Sequence, residues 1–258
     1  MHFKLALLSL LLAGCATTQS AVHATSGLHA ETYGPKRGSS VQTLIVVLHG
    51  AGRPDHYRFA SMAARTIPGA AAVALVRPGY ADADGRPSSK GRGAGFGYDY
   101  ASDHLAAIGE TITALRARYP RARTIVVGDA VGAAVAANLA GIQPALVDGM
   151  VLVGCPCTLG EWRERVKQRT PGQGLGHESL DPLQTAGGIL PSLRAAVLVG
   201  ADDTITPVAV SRTYAEALAL RGIATDYRIL PGRGHDLLDD PEVLAATERL
   251  AAAMPKKG

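Results

Sequence analysis

From residue 41 onward, short apolar runs alternate with longer segments in which apolar residues recur at helical spacing. Runs at 44–48, 71–76, 124–128, 150–153 and 195–200 are almost continuously apolar or β-branched, and a run at 226–230 is more mixed. Continuous apolar character is typical of strands that are covered on both faces, as in a parallel sheet. The pattern therefore predicts an α/β fold with a mostly parallel central sheet and helices on both faces.

The segments between these runs supply the covering helices. Apolar spacing predicts helices at 55–66, 101–118, 131–139, 209–221 and 241–252. Residues 28–34 precede the alternation and are predicted to form an antiparallel leading strand. The sequence has no internal repeat, and its length suits one α/β domain, predicted to span 28–258.

Two segments interrupt the alternation. Residues 79–97 are rich in glycine and polar side chains and are predicted to form a long surface loop. Residues 158–188 contain Trp162 and are too long for a simple crossover, so we interpret them as a small, partly helical cap insertion. Both segments follow strands, and open α/β sheets bind ligands outside the carboxyl ends of their strands.

The N-terminus carries an export signal. Residues 1–4 are positively charged, residues 5–13 are apolar, and Leu12-Ala13-Gly14-Cys15 matches a lipobox. The apolar run is too short to span a bilayer, so we predict a signal peptide at 1–14, an acylated Cys15 and a tether at 15–27. Ala16 after the cysteine favours the periplasmic face of the outer membrane in a Gram-negative host. An ordinary secretory signal with an incidental cysteine is the alternative.

Composition and charge narrow the function. The chain is 47% hydrophobic and 19% charged, with a net charge of +4 that is scattered apart from a short basic tail. This balance gives no basis for a nucleic-acid role. Cys155-Pro156-Cys157 follows a predicted strand and is compatible with a tight disulfide or with two buried thiols. It lacks the nearby ligands that a metal site needs, so we expect a structural role.

The strand at 124–128 turns sharply into an alanine-rich helix. The letters G-D-A-V-G, residues 128–132, place Gly128 and Gly132 on either side of Ala130. This is the spacing of the nucleophile elbow G-x-S-x-G, in which the central residue sits on a strained turn and the glycines avoid clashes. Taken alone, the pattern is more typical of small residues that let a helix pack closely on a sheet.

Three further segments place polar residues at strand ends. Residues 44–52, LIVVLHGAG, are a strand followed by an H-G-x-G turn. Residues 197–207, VLVGADDTITP, are a strand followed by Asp202 and Asp203, and residues 230–236, LPGRGHD, place His235 among glycines. The Asp202-Asp203 turn is also compatible with plain turn chemistry.

In this order the four segments resemble the α/β-hydrolase-fold serine hydrolases, which include esterases, lipases and serine-peptidase-like enzymes. The order of elbow, acid and histidine separates this group from other folds with a catalytic triad. The resemblance spans residues 40–252 and is weakest over the cap. It implies an α/β-hydrolase fold, acyl transfer on a small-molecule ester or a peptide, and no cofactor or metal.

The resemblance also implies roles for individual residues. Position 130 would hold the nucleophile, and His235 would be the base. The acid of this family usually lies three residues after the strand's glycine, which is Gly200 here. That offset points to Asp203 as the acid that orients the histidine, with Asp202 as the alternative.

The oxyanion hole would be formed by two backbone amides. One is the N–H of Ala51 in the H-G-x-G turn, and the other is the N–H of Val131, directly after the nucleophile position. His49 would be a structural part of the turn.

Ala130 departs from the family pattern because alanine has no nucleophilic atom. Loss of the nucleophile costs on the order of 10⁶ in rate in a studied protease, so the chain as written should be nearly inactive. We interpret Ala130 as an engineered Ser→Ala replacement, with a natural pseudoenzyme or ligand-binding protein as the alternative. Asp129 could act instead, as in dehalogenases, but the two glycines flank position 130 and not position 129.

Overall fold

The computed structural model describes residues 28–51, 56–88, 100–170 and 179–257. Seven strands form one sheet within these ranges: β1 (Ala30–Tyr33), β2 (Thr43–Leu48), β3 (Ala70–Leu75), β4 (Arg123–Asp129), β5 (Gly149–Val153), β6 (Arg194–Gly200) and β7 (Ala224–Leu230). Their order across the sheet is β1-β3-β2-β4-β5-β6-β7. β1 pairs with β3 in antiparallel fashion, and all other pairs are parallel. The predicted strands are therefore confirmed, including the antiparallel leading strand.

Seven α-helices are present in the described ranges: α1 (Tyr57–Thr66), α2 (Ser102–Arg118), α3 (Val131–Ile142), α4 (Leu159–Arg169), α5 (Pro182–Thr185), α6 (Val208–Leu220) and α7 (Pro241–Ala253). The five helices expected from apolar spacing are all found within about three residues of their predicted ends. In the part of the chain that the structure describes, no helix is long and apolar enough to cross a membrane.

The sheet separates two apolar cores. Side chains of a strand point alternately to opposite faces, so each buried strand contributes to both. In β2, Leu44, Val46 and Leu48 pack in one core, which includes residues of α2, α3 and α6. Ile45 and Val47 pack in the other, which includes residues of α1 and α7. Helices on both faces explain why the central strands β2 to β6 are almost continuously apolar.

The two irregular segments are described only in part. Residues 79–88 form turns closed by a bridge between Ala81 and Pro87, and the rest of the predicted loop lies outside the described residues. In the segment 158–188, α4 carries a buried Trp162 and α5 is followed by the 3-10 turn Ala186–Gly188, while 171–178 lie outside the described residues. Residues 1–27, which hold the predicted signal peptide, Cys15 and the tether, also lie outside them.

Strand register brings the predicted site segments to one edge of the sheet. Leu48 at the end of β2 is opposite Gly128 in β4, and Asp129 is opposite Val153 at the end of β5. Val153 is in turn opposite Leu198 in β6. The carboxyl ends of four adjacent parallel strands therefore meet where ligands bind in open α/β sheets.

Candidate active site

Ala130 lies at the sharp turn between β4 and α3. Its φ is 46° and its ψ is −109°, and it is the one non-glycine residue with positive φ in the described ranges. A non-glycine residue in such a conformation costs on the order of 1–3 kcal/mol and persists only where its surroundings impose it. The Ala130 amide donates to the carbonyl of Val153 at 2.8 Å, which ties the turn to β5.

The glycines on either side of Ala130 are required by close backbone contacts. A Cβ on Gly128 would lie 2.3 Å from the carbonyl oxygen of Gly132 and 2.4 Å from Cα of Ala133. A Cβ on Gly132 would lie 2.4 Å from the carbonyl oxygen of Leu48. The helix α3 therefore starts almost in contact with β4 and with the end of β2, and only glycine permits this approach.

The structure brings His235 and Asp203 together. His235 Nδ1 and Asp203 Oδ2 are 2.9 Å apart. The Asp203 side chain is fully buried, and its Oδ1 accepts the backbone amides of Ile205 and Thr206, each at 2.8 Å. Nδ1 of His235 therefore carries the proton and donates, because an ionised carboxylate only accepts. The other ring nitrogen, Nε2, is then the basic atom of the imidazole.

Asp202 is exposed, and its backbone amide donates to the carbonyl of Arg233. Among the described residues, its carboxylate forms no hydrogen bond or ion pair with His235. Thr206, which the sequence interpretation did not single out, contacts both members of the pair. Its Oγ1 lies 2.8 Å from Asp203 Oδ2 and 3.2 Å from His235 Nδ1. The spacing D-x-x-T after a strand, which is typical of a turn closed by a side chain, is the signal that could have found it.

Burial and mutual pairing shift the pKa values of His235 and Asp203 in opposite directions. Burial lowers the pKa of His235, but the hydrogen bond and charge of Asp203, with Asp129 and Asp236 nearby, outweigh it and raise the pKa above 6.5. Burial raises the pKa of Asp203, but hydrogen bonds from His235 and Thr206 outweigh it and lower the pKa below 3.8. The pair therefore stabilises the fold most between pH 3.8 and pH 6.5, the ordinary pKa values of the two groups. The contribution is lost as pH falls through the lowered pKa of Asp203 or rises through the raised pKa of His235.

Gly154 connects the elbow to the histidine. It follows Val153, which accepts the Ala130 amide, and it has a positive φ of 52°. A Cβ on Gly154 would lie 3.3 Å from Cε1 of His235 and 3.4 Å from Oγ1 of Thr206. The end of β5 thus contacts the strained turn on one side and the imidazole on the other.

The H-G-x-G turn is held by a buried arginine. Arg77 is 1% exposed and donates through Nε to the carbonyl of His49 at 3.0 Å and through Nη2 to the carbonyl of Gly50 at 2.8 Å. In a trans peptide the C=O and N–H point in opposite directions. The N–H of Ala51 therefore points away from the Arg77 guanidinium, and Ala51 itself is exposed. Gly52 lies outside the described residues.

His49 is a structural member of this turn. It is fully buried, its Nε2 accepts the Arg77 amide at 3.1 Å, and its Nδ1 lies 2.8 Å from the Gly50 carbonyl. Burial, with the charge of Arg77, lowers the pKa of His49 well below 6.5, so the ring is neutral. Both ring nitrogens bond to backbone, as expected for a side chain that fixes a turn.

The remaining site residues take these positions. Val131 is the first residue of α3, where amides have no intrahelical acceptor. Asp129 is the last residue of β4, outside the strained position, and its carboxylate lies against Gly50. Cys155 and Cys157 form a buried disulfide. Among the described residues, no three side chains of His, Cys, Asp or Glu converge as metal ligands would.

Comparison with known proteins identifies the fold. No protein-family model matches the chain, and no curated protein matches it. Several solved structures do match the chain. A monoacylglycerol lipase of Paleococcus ferrophilus is 17% identical with a TM-score of 0.59, covering 87% of this chain and 98% of that one. An esterase of Pyrococcus furiosus is 14% identical with a TM-score of 0.66, covering 91% and 89%.

A thermostable carboxyl esterase of Bacillus coagulans is 14% identical with a TM-score of 0.63, covering 90% of this chain and 95% of that one. Likeness at such low identity concerns the backbone arrangement and not the chemistry of individual side chains. Together with the sheet order and the helices on both faces, it confirms the expected α/β-hydrolase fold.

The elbow packing leads to a stability prediction. We expect Gly128→Ala to lower the free energy of unfolding by about 2–4 kcal/mol, because the new Cβ meets backbone atoms that cannot move independently. Gly160→Ala is the matched control, since a Cβ on Gly160 meets nothing within 4 Å and α4 should gain up to about 1 kcal/mol. Urea unfolding measures both. Equal stability of the two variants would contradict the close approach at the elbow.

The histidine pair leads to a second prediction. We expect Asp203→Asn to lower the pKa of His235, because the hydrogen-bonded carboxylate charge is lost, and Asp202→Asn to leave it unchanged. Titration of the His235 Cε1 proton by NMR measures this directly. A larger drop in the His235 pKa from Asp202→Asn than from Asp203→Asn would contradict the assignment of Asp203 as the acid that orients the histidine.

Proposed function

We propose that this chain is a serine-hydrolase scaffold for acyl transfer on an ester or amide, with Ala130 at the nucleophile position. The observation that carries the proposal is the strained backbone of Ala130 at the same sheet edge as the hydrogen-bonded His235 and Asp203. An ordinary helix start needs no positive φ, whereas a nucleophile elbow does. The chain as written would bind its substrate and scarcely turn it over.

A serine at position 130 would complete the chemistry. Its Oγ would attack the carbonyl carbon while Nε2 of His235 takes the hydroxyl proton, and Asp203 would hold the Nδ1 proton. The amides of Ala51 and Val131 would donate to the oxyanion. His235 would then protonate the leaving group, and water would release the acyl group by the same steps in reverse. None of this requires a cofactor.

We favour a small-molecule ester over a peptide as the substrate. The solved structures that the chain resembles include a monoacylglycerol lipase and two esterases. The alternative function is ligand binding by a pseudoenzyme. It is favoured by one feature, the missing hydroxyl, because binding needs the pocket and not the nucleophile. A dehalogenase-like use of Asp129 is disfavoured, since Ala130 and not Asp129 has the strained backbone.

Ala130→Ser tests the proposal directly. We expect hydrolysis of p-nitrophenyl acetate and butyrate to rise by roughly 10³-fold or more, and a serine-directed phosphonate to label the protein. Ala130→Ser with His235→Ala is the control and should lose both activity and label. If Ala130→Ser folds by circular dichroism but gains no turnover, the pseudoenzyme function is favoured instead.

We also propose that the protein acts in the cell envelope, anchored by an acylated Cys15 at the periplasmic face of the outer membrane. Expression in a lipoprotein-competent Gram-negative host should yield a detergent-phase protein whose N-terminal peptide has the mass of lipidated Cys15. Cys15→Ser should leave the protein out of the detergent phase. A mature chain that begins downstream of Cys15 would contradict the anchor.

A further inference from the structure

Thr206 joins the acid–base pair to the strand that lies beside the elbow. The residue is almost completely buried. Its Oγ1 lies 2.9 Å from the carbonyl oxygen of Gly154, 2.8 Å from Oδ2 of Asp203 and 3.2 Å from Nδ1 of His235. One hydroxyl group therefore contacts both members of the pair and the backbone at the end of β5.

Backbone contacts continue from Gly154 to the elbow. Gly154 directly follows Val153, whose carbonyl accepts the amide of Ala130 at 2.8 Å. The amide of Gly154 donates to the carbonyl of Leu198 in β6 at 2.9 Å, so the sheet fixes its backbone. The hydroxyl of Thr206 thus links the histidine pair to a segment that also holds the nucleophile position.

The hydroxyl proton of Thr206 lies between two acceptors. Nδ1 of His235 donates to Asp203, so the acceptors beside the hydroxyl are the Asp203 carboxylate and the Gly154 carbonyl. Hydrogen bonds to an ionised carboxylate are the stronger kind. Burial raises the pKa of Asp203, and hydrogen bonds from His235 and from the amide and hydroxyl of Thr206 outweigh it. The hydroxyl therefore stabilises the ionised acid on the side that faces β5.

We propose that Thr206 is a positioning residue, whose hydroxyl ties the Asp203–His235 pair to the end of β5 and so holds the imidazole at a fixed distance from the elbow. The inference rests on the proposed function, in that it takes His235 as the base. Thr206 acts through the pair and carries no proton to the ligand. A displacement of about 1 Å in a reacting group costs on the order of 10² in rate, so a fixed imidazole matters for turnover.

Two substitutions remove the hydroxyl and differ in what replaces it. Thr206→Val puts a methyl group in its place and Thr206→Ala does not, so an effect common to both comes from the hydroxyl. Thr206→Ala also serves should the added methyl group prevent folding. Thr206→Ser keeps the hydroxyl and should behave like the unchanged chain. Thr247→Val is the matched control, because Thr247 is as buried as Thr206 and its hydroxyl donates to the carbonyl of Val243 within α7.

The first test measures the pKa of Asp203 in the chain with Ala130. A hydrogen bond to the charged form of a carboxyl group lowers its pKa. We therefore expect this pKa to rise by about one pH unit in Thr206→Val and Thr206→Ala, and to be unchanged in Thr206→Ser and Thr247→Val. NMR titration of the Asp203 Cγ resonance measures it, with circular dichroism to mark acid unfolding.

Three results of this titration would overturn the role of the hydroxyl. One is an equal pKa in all variants, including a carboxyl group that stays ionised down to acid unfolding in every one. Another is a rise in Thr206→Val that is absent from a folded Thr206→Ala, since the methyl group alone would then explain it. The third is an equal rise in Thr247→Val, which would make the effect one of general packing.

The second test measures turnover in the Ala130→Ser background. We expect Thr206→Val and Thr206→Ala to lower kcat for p-nitrophenyl butyrate by about tenfold and to change KM by less than about twofold, because the base and not the ligand pocket is displaced. Thr206→Ser should keep kcat within about threefold. A higher KM with kcat unchanged would contradict positioning. Failure of Ala130→Ser to hydrolyse any ester would contradict the proposed function, while the Asp203 titration still decides whether the Thr206 hydroxyl acts on the pair.

Discussion

The close approach of α3 to the ends of β2 and β4 is the constraint on which the site depends. Backbone atoms of the two strands and the helix come so near that Gly128 and Gly132 have no room for a side chain. The chain between them must reverse within three residues, which forces Ala130 into a conformation that alanine does not favour. The unfavourable backbone energy at this one residue is offset by the packing of a whole helix on the sheet.

Two hydrogen-bond systems fix the parts that surround the elbow. On one side, the buried Arg77 holds the carbonyls of His49 and Gly50, so the peptide that leads to Ala51 has one orientation. On the other side, Asp203 is held by backbone amides and in turn holds His235. Neither system involves the side chain at position 130. The arrangement is therefore compatible with alanine there, and a hydroxyl would be added to a site that is already organised.

Much of the fold could be predicted from the sequence because the signals are local. The middle of a strand that is covered on both faces must be largely apolar, and this holds for β2 to β6, whose charged residues Arg123, Asp129 and Arg194 lie at strand ends. The offset from Gly200 favours Asp203 over Asp202, and the structure brings Asp203 to His235. The catalytic role of Asp203 stays a prediction. The cap at 158–188 stays a prediction as well, because residues 171–178 in its middle lie outside the described residues.

Arg77 could not be predicted in the same way. Its importance comes from partners that are distant in sequence, the carbonyls of His49 and Gly50, and no local pattern reports such contacts. The placement of Asp129 against Gly50 is of the same kind. The sequence shows that a carboxylate precedes the elbow residue, but only the packing of two strand ends decides which backbone it touches.

The end of β5 also has a consequence for folding. Val153 and Gly154 contact both the elbow at residue 130 and the imidazole at residue 235, so these contacts close chain loops of very different length. Non-local contacts of this kind form late, because the entropy of loop closure must be overcome before they add stability. The site geometry can exist only once β4, β5 and β6 are paired in register. An intact histidine environment would therefore report a completed sheet, and partially folded chains would lack it even where their helices had formed.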